Sequence, residues 1–181
     1  MKDLSLHILD IVQNSITAGA KDIRITIEED TKVNTYLIRV EDDGCGMSEE
    51  MQEKVLDPYF TSRTTRKVGL GIPLFKQNAE RTGGHLSLWS TPGKGTTIEA
   101  VFVHDNIDRP VLGDIAGVMG LLIGGNPEIR FRYAHQKDGK SYVADTREIT
   151  EALDGMPVND PEILRFIKEM IRENLAELHA N

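Results

Sequence analysis

Apolar side chains recur at helical spacing along the first twenty residues. Leu4, Ile8 and Ile11 follow one face with Ser15, and Leu9, Val12 and Ile16 lie beside it. The pattern predicts a helix over residues 3–20, stopped at Ala18-Gly19-Ala20, because glycine accepts the left-handed conformation that closes a helix. The period then shortens to two. Ile23, Ile25 and Ile27 alternate with polar residues, and Tyr36, Ile38 and Val40 repeat the alternation after a polar turn around 29–34, so two strands are expected. Asp43-Gly44-Cys45-Gly46 ends the second strand. Ser48 followed by Glu50 and Glu53 marks a capped helix start. The polar stretch from Pro58 to Val68 reads as a loop. Gly69-Leu70-Gly71 leads into a helix that runs from Ile72-Pro73 to about Arg81, and Gly83-Gly84 closes it. A hairpin follows, from Leu86 through the turn Pro92-Gly93-Lys94-Gly95 to Ile98–Val103.

Beyond His104 the texture changes. Residues 105–110 read as a linker and 112–123 as an apolar helix. Two strands, 129–134 and 141–145, flank the turn Lys137-Asp138-Gly139-Lys140. A short helix is expected over 146–153. A last, amphipathic helix runs from Glu162 to about Leu178, with Ile163, Phe166, Ile167, Met170, Ile171 and Leu175 in one stripe. The chain therefore divides into residues 1–104 and an extension, 105–181, expected to pack on the first part.

At 181 residues, 39% hydrophobic and 28% charged, the composition is that of a folded globular protein. A net charge of −8 argues against a general nucleic-acid coat and requires any anion site to gather positive charge locally. Cys45 is the single cysteine, so no internal disulfide forms. The apolar run from Val111 to Ile123 is too short for a bilayer, which needs about 20 residues, and no targeting signal is evident, so a cytoplasmic location without membrane contact is expected.

Three segments carry candidate chemistry. Asp10 and Asn14 stand one helical turn apart on the same face. An amide oxygen suits magnesium, which keeps most of its waters, and a carboxylate one turn away can deprotonate a water or hydroxyl. The plain alternative is a solvated helix face. In Asp42-Asp43-Gly44-Cys45-Gly46 the paired glycines allow close approach of a ligand, and an Asp ending a strand can accept from an exocyclic amino group; the alternative is a polar turn. Acidic residues are missing at the later spacings of a calcium loop. Gly69-Leu70-Gly71 at a helix start offers N–H groups to phosphate, with Arg63, Arg66 and Lys67 just upstream to balance charge. Neither the Rossmann glycine pattern nor a Walker loop is met, since Leu74 takes the place of the third glycine and Lys94 sits in a hairpin turn.

In this order, the segments resemble the GHKL ATPases, the superfamily of DNA gyrase, heat-shock chaperones, histidine kinases and MutL mismatch-repair proteins. Asp10-Ile11-Val12-Gln13-Asn14-Ser15 is similar to its N-box and Asp42-Asp43-Gly44-Cys45-Gly46-Met47 to its G1 box. Asp57-Pro58-Tyr59-Phe60-Thr61 and Gly69-Leu70-Gly71-Ile72 resemble the F- and G2-boxes of histidine kinases, and Gly95-Thr96-Thr97 falls where the family has its last nucleotide-pocket threonine. The resemblance covers residues 3–103. It implies an α+β fold, a two-layer α/β sandwich of the Bergerat type with helices on one face of a mixed sheet, to which the C-terminal hairpin and helix are added. It implies ATP and Mg2+ as cofactors, with Asn14 as the magnesium ligand. Asp42 would accept from the adenine amino group, with Gly44, Gly46 and Thr96 around the base. Gly69, Leu70 and Gly71 would meet the phosphates, and residues 61–68 would form the lid.

Two departures qualify that resemblance. Gyrase and MutL carry Glu where Asp10 stands. Histidine kinases carry a neutral residue there, and often a Lys where this chain has Thr17. Because only Met1-Lys2 precede the first helix, no phosphoacceptor hairpin is expected ahead of it, and His7 reads as a structural histidine inside the fold. A kinase of this kind would act on a separate partner protein. With Asp10 as catalytic base, a serine or threonine hydroxyl is the expected acceptor, by analogy with bacterial anti-sigma serine kinases. The alternative is a regulatory module that senses ATP without turning it over. Asp145, Arg147 and Glu148 are expected to be surface charge.

Overall fold

The computed structural model describes residues 2–59 and 70–180. The first helix, α1, spans Leu4–Thr17; Asp3 caps it by accepting from the N–H of Leu6 at 3.0 Å. Strands β1 (Asp22–Asp30) and β2 (Thr35–Asp42) follow. Helix α2 (Glu49–Leu56) begins at the expected Ser48 cap, and α3 covers Gly71–Arg81. Next come β3 (His85–Thr91) and β4 (Gly95–Val103). Helix α4 (Ile115–Gly125), strands β5 (Arg130–Lys137) and β6 (Lys140–Asp145), and helices α5 (Thr146–Ala152) and α6 (Pro161–Leu178) complete the chain.

The six strands form one mixed sheet in the order β3-β4-β2-β1-β5-β6. All neighbours are antiparallel except β1 and β5, which run parallel from Asp22 opposite Arg130 to Glu29 opposite Lys137. Ile23, Ile25, Ile27, Tyr36, Ile38, Ala100, Phe102, Phe131 and Tyr133 point to one face and are buried. Leu4, Ile8, Ile11 and Val12 of α1 and Phe75 and Ala79 of α3 are buried in the same core. The opposite face carries polar side chains, with Arg39 and Glu99 paired across β2 and β4 at 2.7 Å. The fold is thus a two-layer α+β sandwich, as the resemblance implied.

Residues after 104 share this sheet. Ile167 and Ile171 of α6 are fully buried, whereas Phe166, at the margin of the apolar stripe, is 59% exposed. Helix α6 lies close to α4 because glycines face it: a methyl at Gly120 would meet the Lys168 stem at 2.7 Å, and one at Gly124 would meet Leu164 at 2.9 Å. Asp145 corrects the expectation of surface charge. It is 3% exposed, caps α5 and takes two hydrogen bonds from Arg130, at 3.1 and 2.6 Å. Arg130 also reaches Asp22 on β1 at 3.2 Å, so one guanidinium ties three strands together. Its hydrogen bonds hold the Asp145 carboxyl below the usual carboxylate range, although burial opposes them. Among the described residues, no helix is long and apolar enough to cross a membrane.

Candidate functional site

Helix α1 sends its faces to different tasks. Its apolar side enters the core, and Asp10, Asn14 and Ser15 turn toward the C-terminal end of β2 and the start of α3. Asp42, the last residue of β2, is held on both carboxylate oxygens. One accepts from the N–H of Gly44 at 2.9 Å and of Thr96 at 3.3 Å; the other accepts from the Ser15 hydroxyl at 2.6 Å. Each oxygen keeps lone-pair capacity, so the carboxylate is oriented and can still accept another donor. In the sequence Ser15 stood on the apolar face of the first helix and inside a motif, with no role of its own. Its role became visible once α1 lay beside β2.

The loop after Asp42 is fixed by its own backbone. Cys45 donates its N–H to Ala18 at 2.9 Å and accepts from Gly93 at 2.7 Å. Asp43 turns the other way and accepts from the N–H groups of Lys21 and Asp22, at 2.7 and 2.9 Å. Burial would raise its pKa, yet these donors outweigh it and leave the carboxyl below its ordinary value. Gly46 has φ 68°, and a β-carbon there would stand 2.1 Å from the carbonyl oxygen of Thr91. The glycine is therefore required for packing on the β3–β4 turn. Ser90 accepts from Met47 N–H at 2.7 Å and contacts the Thr96 hydroxyl at 2.8 Å. The Gln52 amide bridges the carbonyls of Met47 and Ser90, at 3.1 and 3.0 Å. Ser90 and Gln52 gave no signal in the sequence, because neither belongs to a motif.

These elements enclose a cavity of about 420 Å³, within the usual range for small-molecule pockets. Ile11, Met47, Val55, Ile72 and Ile98 give it apolar walls, and Asn14, Asp42, Gly46 and Thr96 contribute to its lining. A cavity of about 470 Å³ lies elsewhere, between the 109–116 segment and the end of α6, and collects none of the motif residues. Helix α3 begins beside the first cavity, to whose lining it contributes Ile72. Leu70 precedes the helix, half exposed, and among the described residues no side chain caps it. Uncapped N–H groups together with the helix dipole favour an anion. Gly71 lies against α1: a β-carbon there would stand 3.0 Å from that of Asp10. Asp10 thus borders the α3 N-terminus, and its carboxylate is paired with the ammonium of Lys2. Gly44 is buried behind the loop, against Ala18 and Asp42. Arg63, Arg66, Lys67 and Gly69, and the Phe60-Thr61 part of the F-box, lie outside the described residues.

His7 is 1% exposed and stacks on Phe75 with ring centroids 5.3 Å apart. The Asn78 amide donates to its Nε2 at 2.7 Å. Burial, with the nearby Lys2 charge, lowers its pKa, so the imidazole is held neutral between α1 and α3.

The sequence and the fold have counterparts among known proteins. A sequence profile of the histidine kinase-, DNA gyrase B- and HSP90-like ATPases matches residues 2–106. The sensor-like histidine kinase SenX3 of Mycolicibacterium smegmatis is 32% identical over 95 residues, covering 50% of this chain and 25% of that protein. The signal transduction histidine-protein kinase AtoS of Escherichia coli is 32% identical over 101 residues, covering 56% of this chain and 16% of that protein. The chain thus spans a quarter or less of these two relatives. Among solved structures, the fold is similar to the Aquifex aeolicus MutL ATPase domain complexed with ADP, with TM-score 0.51 and 15% identity over 85% of this chain and 70% of that one. It is also similar to the N-terminal domain of a DNA repair protein, with TM-score 0.54 and 17% identity over 79% of this chain and 52% of that one. With motifs, cavity and profile in agreement, the chain belongs to the family of histidine kinase-, DNA gyrase B- and HSP90-like ATPases.

Proposed function

We propose that the chain binds ATP with magnesium in the 420 Å³ cavity and uses it for hydrolysis or for phosphoryl transfer to a partner protein. The observation that carries this reading is that Asn14, Asp42 and Thr96 line one cavity together with Ile72, from the first turn of α3. The apolar walls suit a flat heteroaromatic base. The oriented Asp42 carboxylate suits an amino group on its edge, and the α3 N-terminus suits a phosphate. Asn14 would hold the magnesium ion, which when bound neutralises phosphate charge. Asp10 borders the phosphate end and is the group placed to take a proton from an attacking water or hydroxyl. The acidic base favours a serine or threonine hydroxyl over a histidine as acceptor. The histidine-kinase relatives support a protein partner.

The test is Asp10→Asn, which keeps shape and polarity and removes the basic oxygen. Binding of MgATP by calorimetry should stay within a few-fold. Hydrolysis, or transfer to a partner recovered from the native host, should fall by at least ~100-fold, the lower end of what a positioned base contributes. Equal and measurable rates would remove Asp10 from the chemistry. Wild-type binding without turnover, even with the partner present, would make the chain an ATP sensor.

A further inference from the structure

The Lys2–Asp10 pair is part-exposed, with side-chain exposures of 36% and 39%. As a stabilising link between two such groups it is worth little, since water screens exposed ion pairs. Its place is the informative feature. Asp10 lies against Gly71, the first residue of α3, so its negative charge stands beside the helix start that would receive phosphate. A carboxylate there repels a polyanion. The cavity lining adds Asp42 and contains no Lys or Arg among the described residues, and the whole chain carries −8. The cation brought to Asp10 comes from Lys2, eight residues earlier, just before α1.

We infer that Lys2 is a positioning residue that acts through Asp10, cancelling its charge and holding its carboxylate so that the site admits a terminal γ-phosphate. The inference rests on the nucleotide reading of the cavity. It places the effect on triphosphate over diphosphate, because only the third phosphate would extend to the Asp10 end. A unit charge about 6 Å from another in a half-wet site alters affinity about tenfold.

The experiment measures MgATP and MgADP binding by calorimetry, with melting curves of the nucleotide-free proteins. Wild type, Lys2→Met, Lys2→Arg, Asp10→Asn and the Lys2→Met/Asp10→Asn double variant are compared. Lys2→Met should weaken MgATP about tenfold and MgADP less than about threefold, with melting temperature unchanged. Lys2→Arg should behave as wild type. Without its Asp10 anchor the part-exposed Lys2 side chain turns into water, where its charge is screened, so in the Asp10→Asn background Lys2→Met should change either nucleotide less than about threefold. Equal losses for both nucleotides, a loss in Lys2→Arg as large as in Lys2→Met, or a full loss persisting without the Asp10 charge would each overturn the role of Lys2 while leaving the nucleotide site standing. Failure of the wild type to bind either nucleotide would overturn the nucleotide reading and this inference with it.

Discussion

Replacing Asp42 by Asn changes one atom and isolates what that carboxylate does. The oxygen that accepts from Gly44 and Thr96, at 2.9 and 3.3 Å, must remain an oxygen, because an amide NH2 there would face two N–H donors. The NH2 therefore takes the position that accepts from Ser15 at 2.6 Å. The Ser15 hydroxyl can rotate and accept in its turn, so the fold survives, weakened by roughly 1–2 kcal/mol for lost charge-assisted bonds. An adenine amino group donating to this edge now meets a donor. An unmatched buried polar group costs about 1–3 kcal/mol, so ATP affinity should fall between roughly fivefold and 150-fold. Guanine presents a carbonyl where adenine presents its amino group, so GTP should be unaffected or improved. Calorimetric titration of both nucleotides into wild type and Asp42→Asn, with melting curves as a folding control, reads the effect as a loss or inversion of the ATP preference. An unchanged ATP-to-GTP ratio in a folded variant would refute the assignment of Asp42 to the base.

Three further outcomes are expected. Asn14→Ala should weaken MgATP binding by at least about tenfold while leaving metal-free ATP nearly unchanged, and an unaltered magnesium dependence in calorimetry would remove Asn14 from the metal site. Asp145→Asn should destabilise the fold at pH 7 by about 1–2 kcal/mol in urea titrations, since it removes the charge facing Arg130. The folded-state pKa of Asp145 is lowered, so this contribution is present above the unfolded value of about 3.9 and is lost as pH falls through the folded one. The gap between wild type and variant should therefore shrink in acid, and a constant gap down to pH 2 would contradict the pairing. Ile167→Ala, at a fully buried position of α6, should cost about 2–5 kcal/mol; an unchanged melting temperature would show that α6 does not hold the core.

Much of this protein was legible before any coordinates. The alternation at Ile23, Ile25 and Ile27 and the helical period from Leu4 to Ile16 depend on neighbours in the chain, and so did the Ser48 cap. Asp10, Asn14, Asp42 and Thr96 stood out because their motifs occur in a known order. The convergence of Asn14, Asp42 and Thr96 on one cavity needs β2 beside both α1 and β4, which is a tertiary fact. Ser15, Ser90 and Gln52 orient the site through partners 27, 43 and 38 residues away, respectively, and nothing local indicates which partner each will meet. Lys2 gained significance only from the turn of α1 that brings Asp10 to it. Asp145 read as surface charge because an acidic residue before a short helix is usually solvated; in the fold it is buried beside Arg130, which donates to it and to Asp22 across three strands. The same physics governed β5. Its sequence predicted a strand of a hairpin, whereas its parallel alignment with β1 depends on a chain excursion of about a hundred residues, which no local pattern encodes. Local periodicity and capping thus determined the elements of this chain, and long-range pairing decided which of its polar residues became a site.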